Sequence, residues 1–206
     1  EFLEKVGYPV CFLDFETFAS AIPLFDGTRA YQQVPFQYSL HRIDAEEMEA
    51  KHFEYLAQPG PDPRKEIAEK LPGEIPEGAC VLVYNIAFEK RVLRELGESL
   101  PGLRKRLNAV AEGMVDLMEP FKRRDIYHWR MNGSYSLKSV LPVLVPEMTY
   151  EGLEISDGAM ASEAYFTMGE ISDPAELARL RKSLLDYCRQ DTLGLVRLLE
   201  KMRGIQ

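Results

Sequence analysis

Val10-Cys11-Phe12-Leu13-Asp14-Phe15 is apolar and rich in β-formers, the composition of a buried strand, and it runs directly into Glu16. Side chains alternate across a strand, so Phe12, Asp14 and Glu16 share one face while Leu13 and Phe15 share the other. Two carboxylates therefore sit side by side at the C-terminal end of an otherwise apolar strand. Like charges that close repel unless a cation lies between them. The same stretch thus decides the fold class and places the first candidate ligands.

Working outward, Phe36 to Ile43 and Lys51 to Leu56 read as two further strands, joined through Asp44–Ala50 by a long hairpin connection. Pro59-Gly60-Pro61-Asp62-Pro63 is a turn, followed by a short amphipathic helix over Arg64–Leu71. Ala79-Cys80-Val81-Leu82-Val83-Tyr84 is a second buried strand, then Ile86 to Leu96 a helix with Gly97 as its stop. Helices are expected over Leu103–Val115, Leu137–Leu144 (ended by Pro146), Gly158–Met168 and Pro174–Met202, with an irregular Leu117–Ser134 stretch holding an Asn132-Gly133 turn. Apolar strands alternating with helices predict an α/β layered fold, and the initial run of strands predicts a mixed central sheet flanked by helices. No repeat or linker divides residues 1–206, which are expected to form a single domain. The chain starts without Met and reads as cut from a longer protein, in which a fused domain is expected to be possible.

With 206 residues, 46% of them hydrophobic, the chain has the material for a core, which excludes a disordered tail, a coiled coil and a collagen-like repeat. Its 25 Lys+Arg against 33 Asp+Glu give a net charge of −8, which excludes a protein that coats nucleic acid by charge alone but not an enzyme that gathers acids at a metal. No apolar run approaches a membrane span, so no membrane partner is expected. Cys11, Cys80 and Cys188 are widely spaced in apolar surroundings and read as buried free thiols in a reducing, cytoplasmic location.

Two more constellations carry acids. At 100° per residue, Tyr187, Asp191, Leu195, Leu198 and Met202 all fall within about 60° of Leu184, so Asp191 lies inside the apolar stripe of the last helix. An ionised Asp there needs an Arg, a hydrogen bond or a metal. Tyr84-Asn85-Ile86-Ala87-Phe88-Glu89 follows a strand and opens a helix; Asn85 suits an N-cap and Glu89 suits the first turn, yet Glu89 also lies where α/β sheets place their ligand crevice.

Asp14-x-Glu16, Asn85-x-x-Phe88-Glu89 and Tyr187-x-x-x-Asp191 together resemble the three motifs of the DEDD (DnaQ-like) 3′→5′ exonuclease superfamily, with a tyrosine-type third motif. Pro35-Phe36-Gln37-Tyr38-Ser39, Gly133-Ser134-Tyr135-Ser136-Leu137-Lys138 and Tyr187-Cys188-Arg189-Gln190-Asp191-Thr192 are similar to phrases of a poorly characterised bacterial branch of predicted exonucleases. The resemblance implies a ribonuclease-H-like fold. It also implies hydrolysis of phosphodiester bonds at single-stranded DNA or RNA 3′ ends by a two-metal mechanism. Asp14, Glu16, Glu89 and Asp191 would hold two Mg²⁺ or Mn²⁺ ions, hard cations that suit oxygen ligands. Tyr187 would orient the attacking water, and Thr17, Phe18, Asn85 and Phe88 would contact substrate. One departure is notable: the second motif of that superfamily usually ends in Asp, and Glu89 reaches one methylene further. The competing expectation is a nucleic-acid-binding or scaffold module with this fold and little catalysis.

Residues 104–138 carry eight bases against four acids, +4 in all, which leaves −12 for the rest of the chain. Tyr127, Trp129 and Tyr135 interleave with these bases, the combination that holds single strands without reading sequence. The histidines His41, His52 and His128 share no ligand spacing.

Overall fold

The computed structural model describes residues 1–204. Five strands form one mixed sheet: β1 (Val10–Phe18), β2 (Val34–Ile43), β3 (Lys51–Leu56), β4 (Cys80–Val83) and β5 (Met114–Asp116). Their spatial order is β3-β2-β1-β4-β5. β1–β2 and β2–β3 pair antiparallel, whereas β1–β4 and β4–β5 pair parallel. The hairpin connections explain the antiparallel half, and the helical crossovers the parallel half.

Helices cover both faces. α1 (Arg64–Glu74), α2 (Ile86–Ser99) and α3 (Arg104–Glu112) pack Ile67, Leu71, Leu93, Leu96 and Leu107 against Leu13, Leu40 and Val81 of the sheet. On the other side α5 (Leu137–Leu144) and α7 (Pro174–Arg203) pack Val140, Leu141, Leu195 and Leu198 over Val10, Phe12 and Leu82. α6 (Gly158–Thr167) and the first half of α7 close a third cluster with Phe18, Phe36 and Tyr165. A four-residue helix, α4 (Glu119–Lys122), follows β5. Among the described residues no helix is long and apolar enough to cross a membrane.

The expected strands and helices are present with small shifts in their ends, and α5 has the expected bounds. Two expectations are corrected. The helix expected over Leu103–Val115 stops at Glu112, and Met114–Asp116 becomes β5. Gly113 makes that switch possible: a Cβ there would stand 2.5 Å from the Ala79 carbonyl oxygen, and the Val81 amide donates to the Gly113 carbonyl at 2.8 Å. Gly97 does not stop α2, which continues to Ser99. It packs against Arg104 of α3, whose Nε donates to the Gly97 carbonyl at 3.1 Å. Asn132 and Gly133 form the expected turn, both at positive φ.

The β1–β2 register shifts between Glu16 and Thr17, where Thr17 meets Pro35. A bulge beside a proline that cannot donate shifts the register immediately after the second acid of β1, and pairing resumes with Thr17 opposite Pro35 and Phe18 opposite Val34.

Candidate metal and catalytic site

The site is built at the C-terminal end of β1. Asp14 and Glu16 project from the sheet face that α7 covers, as the strand period requires. α7 brings Tyr187, Cys188 and Asp191 down onto them, and α2 brings Glu89 from beyond the end of β4. Glu89 is 1% exposed, Glu16 6% and Asp191 8%, so the carboxylates of three elements meet in a nearly dry space. Burial first, and then mutual repulsion, pushes Asp14, Glu16 and Glu89 well above the usual carboxylate range. Asp191 is raised to about 6 by burial, an effect opposed by the Tyr150 hydroxyl, the Lys138 charge and Tyr187.

The tightest grouping is Asp14, Glu16 and Cys188, whose ligand atoms lie within 4.8 Å of one another. Glu89 and Asp191 are not part of that grouping. The Cys188 thiol donates to the Asp14 backbone carbonyl at 3.8 Å and to Asp14 Oδ2 at 3.7 Å. Cys188 is buried, as expected for a core thiol, but its contact with Asp14 is not foreseen by that reading. Glu89 Oε2 is buried with no hydrogen-bond partner, an orphan that a cation would satisfy. Four carboxylates with one orphaned oxygen fit a hard divalent cation.

The neighbouring elements add Tyr150 and Gly158, which the motif pattern misses, and give a place to Lys138, the last residue of the Gly133–Lys138 phrase. Tyr150, in the segment between α5 and α6, donates its hydroxyl to Asp191 Oδ1, and its ring meets that of Tyr187 edge-on at 6.4 Å. Lys138 of α5 holds its ammonium 5.4 Å from the Tyr187 ring centroid and 5.6 Å from that of Tyr150. Gly158, the first residue of α6, lies against Glu16; a Cβ there would be 3.6 Å from Glu16 Oε2. Tyr150 sits in an irregular segment where no periodicity marks it. The signal for Cys188 was available, since it falls on the same face of α7 as Leu184.

One expected substrate contact changes, and the structure places the other three and the expected cap as follows. Phe18 is 2% exposed and its ring packs with Phe25, Phe36, Tyr165 and Phe166 at centroid distances of 4.9–6.3 Å, so it is a core aromatic and not a pocket wall. Thr17 is partly buried and donates to Gln33 Oε1. Asn85 is exposed but is not a side-chain cap: it adopts φ 87° and its side chain makes no capping bond. Asp116 of β5 caps α2 instead, accepting from the amides of Asn85 at 3.1 Å and Ile86 at 3.3 Å. Phe88 is partly buried, with the Arg91 guanidinium 5.5 Å from its centroid. Tyr187 is buried against Tyr150 and Asp191, and burial pushes its hydroxyl above the ordinary tyrosine range.

The basic stretch divides. Lys105 and Arg106 line a cavity of about 460 Å³ with Pro76 and Ala79, at the start of β4 and so at the opposite end of the parallel strands from Asp14. Tyr135 lies on the site's side, its carbonyl accepting from the Tyr84 hydroxyl at 2.8 Å just beyond the end of β4.

Two comparisons bear on kinship. An uncharacterized protein of Mycoplasma pneumoniae, the MG366 homolog, is 24% identical over 213 residues; the match takes in 94% of this chain but 32% of the relative. The chain thus spans about a third of that relative's length. The family match covers the stretch holding Asp14, Glu16, Asn85, Glu89 and Asp116 and ends before α5. Because that match takes in residues 11–136, more than half of the chain, the protein belongs to the DUF2779 family, a domain of unknown function.

Proposed function

We propose that this domain is a metal-dependent 3′→5′ exonuclease acting on single-stranded DNA or RNA, with a ribonuclease-H-like fold. The observation that carries the reading is the convergence of Asp14, Glu16, Glu89 and Asp191 from β1, α2 and α7 into one buried space, where burial raises all four and the neighbouring acids further raise Asp14, Glu16 and Glu89. Such repulsion destabilises the metal-free protein and is retained where the acids bind cations. The mixed order β3-β2-β1-β4-β5 supports the fold.

Asp14, Glu16, Glu89 and Asp191 would hold Mg²⁺ or Mn²⁺. Bound divalent ions would supply positive charge against the phosphodiester and a water more easily deprotonated than bulk water. The chain's own groups supply the rest. Tyr187, held neutral by its burial, orients the attacking water through its hydroxyl rather than taking the proton. Tyr150 fixes Asp191 by donating to it, so that one carboxylate orientation is retained. Phe88 and Asn85 remain beside the site to meet the terminal nucleotides. Phe18 supports the bulge from within the core.

The test uses 5′-labelled single-stranded DNA and RNA incubated with Mg²⁺, Mn²⁺ or EDTA. A ladder of shortened products is expected with metal, with activity falling more than about 100-fold in Asp14→Asn and Asp191→Asn. Binding without shortening in either metal would favour the non-catalytic binding module and overturn the enzyme.

A further inference from the structure

Lys138 lies beside the acid centre, over the rings of Tyr187 and Tyr150, and has no role in the reading of the four carboxylates. It occupies the first turn of α5, and α5 is anchored under α7 by Val140 and Leu141. The anchoring is close: a Cβ on Gly194 of α7 would stand 2.7 Å from Leu141 Cδ2. The ammonium of Lys138 is held over the Tyr187 and Tyr150 rings, 5.4 and 5.6 Å from their centroids. Those rings flank Asp191, to which Tyr150 donates. The Lys138 charge reaches Asp14, Glu16 and Asp191, three acids on two different elements.

The side chain is nevertheless exposed. A lysine serving only to neutralise the acids would bury its ammonium among them. This one stands over aromatic faces and is exposed to solvent. The chain leading to it, from Ile126 to Ser136, carries three exposed aromatics, with Tyr127 53%, Trp129 69% and Tyr135 43% exposed. Arg130 lies 5.3 Å from the Trp129 centroid. Exposed rings that precede an exposed ammonium in the chain offer stacking for bases and a point charge for a phosphate.

We propose that Lys138 is the phosphate-binding residue of the acid centre, taking the last phosphodiester of a single strand while Tyr187 and Tyr150 hold its ammonium in place. This rests on the exonuclease reading for the direction of the strand, and it adds a residue that touches substrate. Lys138 is a contact to the backbone, so it confers no base preference.

The experiment measures binding of fluorescein-labelled oligothymidylate by anisotropy, with Ca²⁺ as the cation, for wild type, Lys138→Met and Lys138→Arg. A second oligothymidylate carries a neutral methylphosphonate at its last linkage only. Lys138→Met is expected to weaken the all-phosphate strand roughly tenfold, and to lower the slope of log affinity against log salt by about 0.7. Lys138→Arg should restore most of that loss. On the methylphosphonate strand wild type and Lys138→Met should bind alike. An equal loss on both strands, or an unchanged salt slope, overturns the proposal. Product ladders in Mn²⁺, run on the same proteins, separate the two readings. A wild type that binds through Lys138 but shortens nothing sinks the enzyme and leaves the phosphate contact, whereas active enzyme indifferent to Lys138→Met does the reverse.

Discussion

Two buried polar clusters lie next to one another beneath α7, and they are built on opposite terms. One is the carboxylate set around Asp14. The other joins Ser39 and His41 of β2, His52 of β3 and Thr192 of α7. They are immediate neighbours: Ser39 is the cross-strand partner of Asp14, and Thr192 follows Asp191. In the second cluster the groups satisfy one another. Thr192 Oγ1 bonds Ser39 Oγ at 2.6 Å and His41 Nδ1 at 2.9 Å, and Ser39 Oγ bonds His52 Nε2 at 2.9 Å. The two imidazoles stack with centroids 4.4 Å apart. In the first cluster the neighbours are mostly like charges, and Glu89 Oε2 has no partner. A buried polar group that is paired is architecture, holding a helix to a sheet in one register. A buried acid left facing other acids is a cost that folding alone does not explain, and it points to a ligand.

The contrast predicts effects of opposite sign. Thr192→Val keeps the shape but deprives both Ser39 and His41 of a partner, so the protein should lose about 2–4 kcal/mol. Chemical denaturation should show this, and a loss below about 0.5 kcal/mol would mean that the cluster does not hold α7 to the sheet. Asp14→Asn should do the reverse in EDTA. Removing one charge from the acid centre should add about 0.5–2 kcal/mol while abolishing activity, the trade expected at a functional site. Each kcal/mol should appear as roughly 2–4 °C in Tm for a chain of this size.

The clusters also respond to pH in opposite directions. His41 is lowered to about 3 and His52 to about 4, both by burial first, from an ordinary 6.5. Their depressed values mean that the unfolded chain takes up protons first, so their contribution is lost as pH falls below about 6.5. Asp191, raised by burial to about 6 from 3.8, binds its proton more tightly when folded, so its contribution is present at low pH and is lost as pH rises from about 4 to 6. In the metal-free wild type the two oppose each other across that window. Asp191→Asn removes the acid limb, and its Tm should fall more steeply than that of wild type between pH 6.5 and pH 4. Parallel profiles would show that Asp191 is not raised. The smallest effect belongs to Tyr150→Phe, which removes a bond favouring the ionised Asp191. The Asp191 carboxyl should then titrate above its wild-type value in carbon-detected NMR, and an unchanged titration would dissociate Tyr150 from the site.

Much of the site was legible because local periodicity decides which face a residue takes. The strand period puts Asp14 beside Glu16, and the helical period puts Asp191 within the apolar stripe of α7; the structure shows both. The Leu137–Leu144 helix follows from its apolar pattern and the Pro146 stop. Reading failed where a residue's role depends on a distant element. Phe18 looked like a pocket wall because it follows the first acids, but α6 supplies Tyr165 and Phe166 to bury it. Asn85 looked like a cap because of its type and place, but Asp116 arrives from β5 to take that role. β5 itself was hidden within an apparent helix because three residues carry too little pattern to outweigh their neighbours.

The α/β layering, the pairing of Asp14 with Glu16 and the inward aim of Asp191 follow from spacing along single elements and are therefore written in the chain. That Cys188 touches Asp14, that Tyr150 holds Asp191 and that Lys138 stands over both tyrosines depends on the packing of separate elements. Those contacts cross between elements as much as 174 residues apart, and their distances are set by how α5 and α7 pack on the sheet.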